Sequence, residues 1–196
     1  MTLTSTPPQH RVAPSYPFAL DGAHERATAG RGLVPAPTGH VIASTTALPD
    51  APDGPLNRFG LAVRKDAEAS ATPGRFAAEL IDLHTALVRR TLEHAVEHLG
   101  VRTVGGTALL GRQLVQAQLA DVALRLRELQ VMPAERRVAG RGAPWRTHRR
   151  LVGLGRDLLR LLGGSGFLVD GPGGDLHLAE VTGNVYLHPG TEHTDA

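Results

Sequence analysis

The sequence predicts a mainly α-helical protein, an antiparallel bundle of three to four helices that follows an irregular or small-strand N-terminal segment. Two observations lead to this prediction. Proline and glycine interrupt the chain repeatedly up to about residue 66, whereas apolar residues recur at helical spacing after Pro73. With 196 residues, the chain fits one ordinary domain preceded by an extended segment. We therefore divide it into residues 1–70, residues 71–190 and a flexible tail at residues 191–196.

Residues 1–70 do not show the pattern of a long helix. Prolines break the segment at Thr6-Pro7-Pro8 and at Val34-Pro35-Ala36-Pro37, so long helices are not expected there. Two short apolar runs could be strands, Gly39-His40-Val41-Ile42-Ala43 and Phe59-Gly60-Leu61-Ala62-Val63. An irregular arm that wraps the bundle or is partly disordered fits the composition equally well.

The first two helices of the bundle are predicted from steps of three and four between apolar residues. One begins after Pro73 and ends at Gly100, with an inward face formed by Phe76, Leu80, Leu83 and Leu87. The next ends at Met132-Pro133, with an inward face formed by Val115, Leu119, Val122, Leu126 and Leu129. Both helices are therefore expected to bury one apolar stripe against the same core.

A third helix and a shorter fourth element complete the predicted bundle. The third helix spans about residues 145–162 and ends on Gly163-Gly164, with an inward face formed by Leu151, Leu154, Leu158 and Leu161. A connector rich in arginine and glycine precedes it at residues 134–144. A shorter helix or turn is expected at residues 176–186. Helices joined by short links favour an antiparallel bundle.

Composition excludes several functional classes. The chain contains no cysteine, which rules out disulfides, thiolate metal sites and a cysteine nucleophile. The N-terminus does not read as a secretory signal, and no apolar run approaches the roughly 18 residues of a membrane span. We therefore expect a soluble, cytoplasmic protein with no membrane partner. The formal net charge is only +2 and the basic residues are not grouped with stacking aromatics, so no nucleic-acid partner is expected.

Two polar clusters have an ordinary interpretation beside a functional one. His94 and His98 are four residues apart on the first helix, a spacing compatible with metal binding. No third ligand is evident, so a solvated helix face is the better interpretation and no metal site is predicted. Six arginines near the connector could meet an anionic partner such as the phosphates of CoA, or could simply be solvated: Arg136, Arg137, Arg141, Arg146, Arg149 and Arg150.

Two motifs occur at matching ends of the predicted helices. The link after the first helix reads Arg102-Thr103-Val104-Gly105-Gly106, and Gln113-Leu114-Val115-Gln116 follows it. The third helix ends in Leu161-Leu162-Gly163-Gly164-Ser165-Gly166-Phe167. Together these motifs resemble the C-terminal helical domain of the acyl-CoA dehydrogenase family, with its Arg-x-x-Phe-Gly, Gln-x-x-Gln and Leu-x-Gly-Gly-x-Gly-Phe/Tyr. The resemblance covers about residues 74–186, and the chain is too short to hold the family's N-terminal and middle domains intact.

The resemblance implies that this end of the bundle contacts FAD. In the family the arginine pairs with the FAD pyrophosphate, which here implies Arg102. Glycines that let the backbone approach the ADP part would be Gly163, Gly164 and Gly166. Gln113 would hydrogen-bond near the adenine end. The FAD itself would be held mainly by a neighbouring subunit and shared across the subunit interface.

The residues that carry the family's chemistry are missing from their usual positions. Acyl-CoA dehydrogenases remove an α-proton with a carboxylate while a hydride leaves the β-carbon for the flavin. In the commonest branch this base is the Glu after a Tyr, and Leu187 stands there after Tyr186. His188, the next residue, is the candidate base in its place. Another branch uses a Glu near the start of the first helix, where this chain has Ala71-Thr72-Pro73-Gly74, with Glu79 about a turn further on.

The chain keeps the residues that contact FAD in the family but lacks the family's catalytic base. This combination leads to three hypotheses. The chain could be a small non-catalytic or half-site subunit that completes the FAD or acyl-thioester site of a larger acyl-CoA dehydrogenase-like partner or of a second copy. The acyl group would then be carried by CoA or by a carrier protein. The chain could instead be a flavin-free binding or scaffold protein built on the same bundle. It could also be a homo-oligomeric biosynthetic enzyme that uses His188.

Overall fold

The computed structural model describes residues 15–65, 72–133, 137, 140, 142–167 and 171–189. In these ranges the chain is mainly helical, which confirms the predicted fold class. The elements are α1 (Tyr16–Thr28), β1 (His40–Ser44), β2 (Leu61–Lys65), α2 (Gly74–Val101), β3 (Thr103–Val104), β4 (Thr107–Ala108), α3 (Gln113–Val131), α4 (Ala143–Leu162) and α5 (Pro172–Leu187). Short 3-10 turns lie at Asn57–Phe59, Leu109–Gly111 and Gly163–Phe167.

The predicted divisions of the chain are only partly visible. The tail proposed at residues 191–196 lies outside the described residues, as does most of the connector at residues 134–144. The boundaries at residues 70 and 190 stay predictions. In the part of the chain that the structure describes, no helix is both long enough and apolar enough to cross a lipid bilayer.

Helices α2 to α5 form the bundle, and contacts near their ends give their directions. His84 in the first half of α2 packs against His148 near the start of α4, with ring centroids 5.5 Å apart. Arg102 at the end of α2 lies beside Gly163 at the end of α4. Helices α2 and α4 therefore run parallel. Thr182, late in α5, lies 3.5 Å from His84, so α5 runs in the opposite direction.

The bundle core is made of the apolar residues that helical spacing predicted. All four helices contribute to one buried cluster, which includes Leu80, Leu87, Leu119, Val122, Leu126, Leu129, Leu151, Leu154 and Leu158. Leu83, Val115 and Leu161 are half-buried and pack against its edge. Each fully buried leucine contributes about 1.5–3 kcal/mol relative to exposure, so this shared stripe dominates the stability of the bundle.

Helix α1 corrects the expectation that the N-terminal segment holds no long helix. It spans 13 residues, Tyr16–Thr28. Its proline, Pro17, lies in the first turn, where a missing N–H removes no intrahelical hydrogen bond. The helix ends at Ala29, which adopts a left-handed conformation with φ 54°. The expectation was wrong because proline breaks a helix interior but is tolerated at its start.

The two apolar runs proposed as strands are strands. β1 and β2 pair antiparallel, with His40 opposite Lys65 and Ser44 opposite Leu61. They pack with α1 onto α2 and α5, and Tyr16, Leu20, Val34, Ile42 and Leu61 join the same buried cluster as the bundle leucines. The described part of the N-terminal segment therefore shares the hydrophobic core of the bundle.

Candidate functional site

The junction between α2 and α3 is a tight hairpin that fixes the backbone of Arg102. The N–H of Arg102 donates to the carbonyl of His98 at 3.1 Å, and its own carbonyl accepts from the N–H of Leu109 at 2.8 Å. β3 pairs with β4, and the turn between them consists of Gly105 and Gly106 with φ of 62° and 77°. Both angles lie in the left-handed region that favours glycine. The turn thus explains the glycine at position 105, where the family motif has Phe.

The side chain of Arg102 lies beside the glycine that ends α4. Its Nη1 atom is 3.8 Å from the position that a Cβ would take on Gly163. Gly163 has φ 64° and closes the helix by donating its N–H to the carbonyls of Leu159 and Arg160. The Arg102 side chain is exposed and forms no ion pair with any described residue. The structure therefore brings these two predicted residues together and leaves the guanidinium available to an anion.

Packing within the chain places different constraints on Gly164 and Gly166. A Cβ on Gly166 would lie 2.8 Å from Cβ of Leu162 and 3.2 Å from the carbonyl oxygen of Leu159, so packing inside the chain requires glycine there. A Cβ on Gly164 would meet nothing within 4 Å, and its φ is not in the left-handed region. No feature of the described chain requires glycine at position 164. Close approach of a group from outside the chain would require it.

Gln113 is the first residue of α3, and its side chain is exposed. It lies at the same end of the bundle as Arg102, because only the hairpin and a 3-10 turn separate the two. The start of a helix carries partial positive charge from its free N–H groups, which favours anions nearby. We name Arg102, Gln113, Gly163 and Gly164 the flavin edge. Contact of these residues and of Gly166 with a cofactor stays a prediction.

The structure places His188 far from the flavin edge. His188 follows the last residue of α5, and its ring packs edge-on against Trp145 at the start of α4, with centroids 4.8 Å apart. Trp145 and Gly163 are 18 residues apart along α4. At 1.5 Å per residue this is about 27 Å. His188 and Arg102 therefore lie at opposite ends of the bundle, and a catalytic role for His188 stays a prediction.

The positions where the resemblance places catalytic carboxylates are committed to other roles. Leu187 is 6% exposed and belongs to the core. Leu178 and Ala179 belong to the same core, at the positions where the resemblance places an Arg-Asp pair that precedes the family's catalytic loop. Glu79, the nearest acid to the alternative base position, forms an ion pair of 2.7 Å with Arg26 of α1. These positions therefore serve packing and the docking of α1, and none of them offers a free base.

Sequence reasoning missed a buried polar cluster at the end of the bundle opposite the flavin edge. The hydroxyl of Tyr186 accepts from the N–H of Ile42 at 2.8 Å and donates to the carbonyl of Val34 at 3.2 Å. The ring of His24 accepts from the N–H of Val34 at 3.0 Å and donates to the carbonyl of Ile42 at 2.9 Å. These bonds attach the N-terminal segment to α5.

A second part of this cluster lies between α1, α2 and α5. The Tyr16 hydroxyl hydrogen-bonds to Nε2 of His84 at 2.8 Å and to the hydroxyl of Thr182. Burial raises the pKa of both Tyr16 and Tyr186, and it lowers the pKa of His84 well below its ordinary value. His84 lies midway between Leu80 and Leu87 on the apolar face of α2, and this spacing was the available sequence signal for its burial.

Comparison with known proteins agrees with this fold. Residues 75–179, more than half of the chain, match the family model described as acyl-CoA dehydrogenase, C-terminal domain. The bundle is thus a C-terminal acyl-CoA dehydrogenase domain. The chain belongs to the acyl-CoA dehydrogenase family. No curated protein matches it.

Two solved structures resemble the chain at low identity. One is a glutaryl-CoA dehydrogenase from Mycobacterium smegmatis in complex with FADH2, at 18% identity and a TM-score of 0.49, covering 64% of this chain and 39% of that chain. The other is an FAD-dependent dehydrogenase, at 18% identity and a TM-score of 0.48, covering 79% of this chain and 48% of that chain. The chain therefore spans less than half the length of either protein.

Proposed function

We propose that this chain is a small non-catalytic or half-site subunit of an acyl-CoA dehydrogenase-like flavoprotein. It contributes the flavin edge to an FAD held mainly by a larger partner subunit. One observation carries the proposal: Arg102 is exposed and unpaired among the described residues at one end of the bundle, while the family's base position holds the buried Leu187. FAD, when bound, would supply the hydride acceptor for oxidation of an acyl thioester. This chain would bind and orient the nucleotide.

The chemistry of the flavin edge fits a dinucleotide diphosphate. The planar guanidinium of Arg102 can donate two parallel hydrogen bonds to phosphate oxygens. The open side of Gly164 lets a ligand reach the backbone without meeting a side chain. Gln113 adds an amide that can donate and accept at the adenine end. The three groups come from α2, α3 and the turn after α4, so one bound nucleotide would span three elements.

Exposed apolar residues on α3 support a surface for the partner subunit. Leu124 and Val131 are 67% and 60% exposed and are seven residues apart on α3, so they share one side of the helix. The buried residues Val122 and Leu129 lie on the opposite side. By the same periodicity Gln113 is on the exposed side. Exposed apolar residues on the side of α3 that also carries Gln113 support a partner that covers this side of the helix.

Co-expression with a larger acyl-CoA dehydrogenase-like subunit tests the proposal. We expect a complex that elutes as one species and carries flavin absorbance. Arg102→Gln should lower FAD affinity at least about tenfold, because it removes a charged hydrogen-bond donor. The matched control is Arg150→Gln, another exposed arginine, which lies near the start of α4. A complex without flavin, or equal affinity in the two variants, would contradict the proposal.

The remaining hypotheses correspond to distinct outcomes. A stable but colourless complex that takes up no added FAD would favour a flavin-free scaffold. Turnover by the chain alone that is abolished in His188→Ala would favour a self-contained enzyme. Turnover by the partner complex that is unchanged in His188→Ala is the result expected here, since His188 lies at the other end of α4 from Gly163.

A further inference from the structure

A cavity apart from the flavin edge lies where the N-terminal segment meets the bundle. It has a volume of about 930 Å³ and is lined by the start of α1, the end of β1, the turn before β2, the middle of α2 and the first turns of α5. Cavities of roughly 300–1,000 Å³ are the usual size of small-molecule sites. No role assigned above uses this cavity.

The described residues that line the cavity leave an excess of positive charge. The lining holds two arginines, Arg58 and Arg90, and a single carboxylate, that of Asp175, so the arginine and carboxylate groups leave a formal excess of one positive charge. Arg90 is half-buried, and no described carboxylate lies within ion-pair distance of it. The guanidinium of Arg90 therefore keeps hydrogen-bond donors that an entering anion can use.

The carboxylate of Asp175 lies in the wall of the cavity, near the backbone N–H of Tyr16 at the start of α1. Burial raises the pKa of Asp175, and the charge of Arg90 opposes that rise. As a single carboxylate, Asp175 cannot neutralise both arginines of the cavity lining.

The other walls of the cavity are apolar. Phe18 projects from α1 and is 59% exposed, although the neighbouring Tyr16 and Leu20 are fully buried. Phe59 also lines the cavity, and the guanidinium of Arg58 lies over its ring, 4.6 Å from the centroid. Leu87 of α2 completes the apolar part of the lining. A ligand that covered Phe18 would remove its apolar surface from water.

We propose that this cavity binds a small organic monoanion, a carboxylate with an apolar tail. Arg90 and Arg58 hold the carboxylate, and Phe18, Phe59 and Leu87 cover the tail. A monoanion matches the single excess positive charge, whereas a phosphate monoester would leave one negative charge unmatched. The site is independent of the flavin edge, because Arg90 precedes Arg102 by 12 residues, about 18 Å along α2.

Titration of the full chain with hexanoate, followed by heteronuclear NMR, tests this proposal without flavin or partner. We expect saturable shifts at Phe18 and Leu87. The neutral isostere hexanamide should bind at least about tenfold more weakly, because a charged hydrogen bond is lost. Arg90→Gln should produce a similar loss for hexanoate, and Arg150→Gln should bind like the unmodified chain.

Arg58→Gln provides a second variant of the cavity lining. Arg58 is exposed, so its replacement leaves the core intact. Matched thermal unfolding midpoints would show that each variant is folded. The proposal is overturned if hexanamide binds as well as hexanoate, if both arginine variants bind like Arg150→Gln, or if no saturable shift occurs. Because neither FAD nor a partner is present, these outcomes do not depend on the function proposed for the flavin edge.

Discussion

The two ends of the bundle differ in how the chain uses its polar groups. At the end formed by the start of α2 and the end of α5, which we name the closed end, the Tyr186 hydroxyl and both ring nitrogens of His24 are bonded to backbone of the N-terminal segment. At the flavin edge, Arg102 pairs with no described residue. Packing explains the polar residues of the closed end, whereas no contact with a described residue assigns a role to the guanidinium of Arg102 at the flavin edge.

The largest difference between the two ends should appear when a phenylalanine is truncated at each. Phe76 is fully buried at the closed end, stacked on His24 with centroids 4.5 Å apart. Phe76→Ala should lower the free energy of unfolding by about 4 kcal/mol, because it leaves a cavity in the core. The matched position is Phe167, which follows α4 and is 64% exposed. Phe167→Ala should change the free energy of unfolding by less than about 0.5 kcal/mol. Urea unfolding measures both, and equal losses would refute the distinction.

A smaller contrast is expected between two glycines near the flavin edge. A Cβ on Gly173 would lie 2.3 Å from the carbonyl oxygen of Gly166, a backbone atom that cannot rotate away. Gly173→Ala should therefore lower the free energy of unfolding by about 3 kcal/mol. Gly164→Ala should leave the free energy of unfolding unchanged. It should instead weaken the binding of FAD by the complex with the partner subunit. A stability loss at Gly164 comparable to that at Gly173 would remove the reason for assigning it to a ligand.

Acidification should weaken the closed end specifically. Burial lowers the pKa of His24, His84 and His148 below the ordinary value of about 6.5, so protons bind the unfolded chain more readily than the folded one. Their contribution is complete above about pH 6.5 and is lost as the pH falls. Between about pH 7.5 and 5.5 the free energy of unfolding should drop by about 2 kcal/mol, with the largest share from His84, whose pKa is lowered furthest.

Chemical denaturation at a series of pH values measures this effect. The control is His94→Gln, because the side chain of His94 is exposed on α2. A stability that is flat across this range, or that rises on acidification, would mean that the buried histidines are not held neutral.

The smallest effect on stability is expected at Arg102. Arg102→Gln should change the free energy of unfolding of the isolated chain by less than about 0.5 kcal/mol, because its side chain is exposed and forms no ion pair with a described residue. Thermal or urea unfolding without flavin measures it, with Arg150→Gln as the reference. A loss above about 1 kcal/mol would mean that Arg102 has a structural role and would weaken its assignment to a cofactor.

The fold of the bundle could be predicted from the sequence, but helix α1 could not. Leucines at steps of three and four marked the buried faces of α2, α3 and α4 because each packs mainly through one apolar stripe. Helix α1 buries Tyr16, Leu20, Ala23 and His24, a mixed set whose polar members are satisfied only by partners far along the chain. Local spacing carries no information on such partners.

The candidate site was predicted unevenly for a related reason. The proximity of Arg102 and Gly163 follows from a family motif that spans two helix ends, and the structure shows these residues side by side. Gly164 and Gly166 are equivalent in the motif, yet only Gly166 is constrained by packing within the chain. That distinction depends on the positions of Leu159 and Leu162 in three dimensions, so no sequence pattern expresses it.

The hydrogen bonds from α1 and β1 to α5 also constrain the order in which this protein can fold. Tyr16 reaches Thr182, and Ile42 reaches Tyr186 across 144 residues of sequence. At a synthesis rate of roughly 5–20 residues per second, residue 186 is made roughly 6–24 s after residue 65. During that interval the β1–β2 ribbon, a two-stranded sheet whose outer edges are unpaired, has no α5 to cover it. The nascent N-terminal segment is therefore the part of this chain that most needs protection from aggregation during translation.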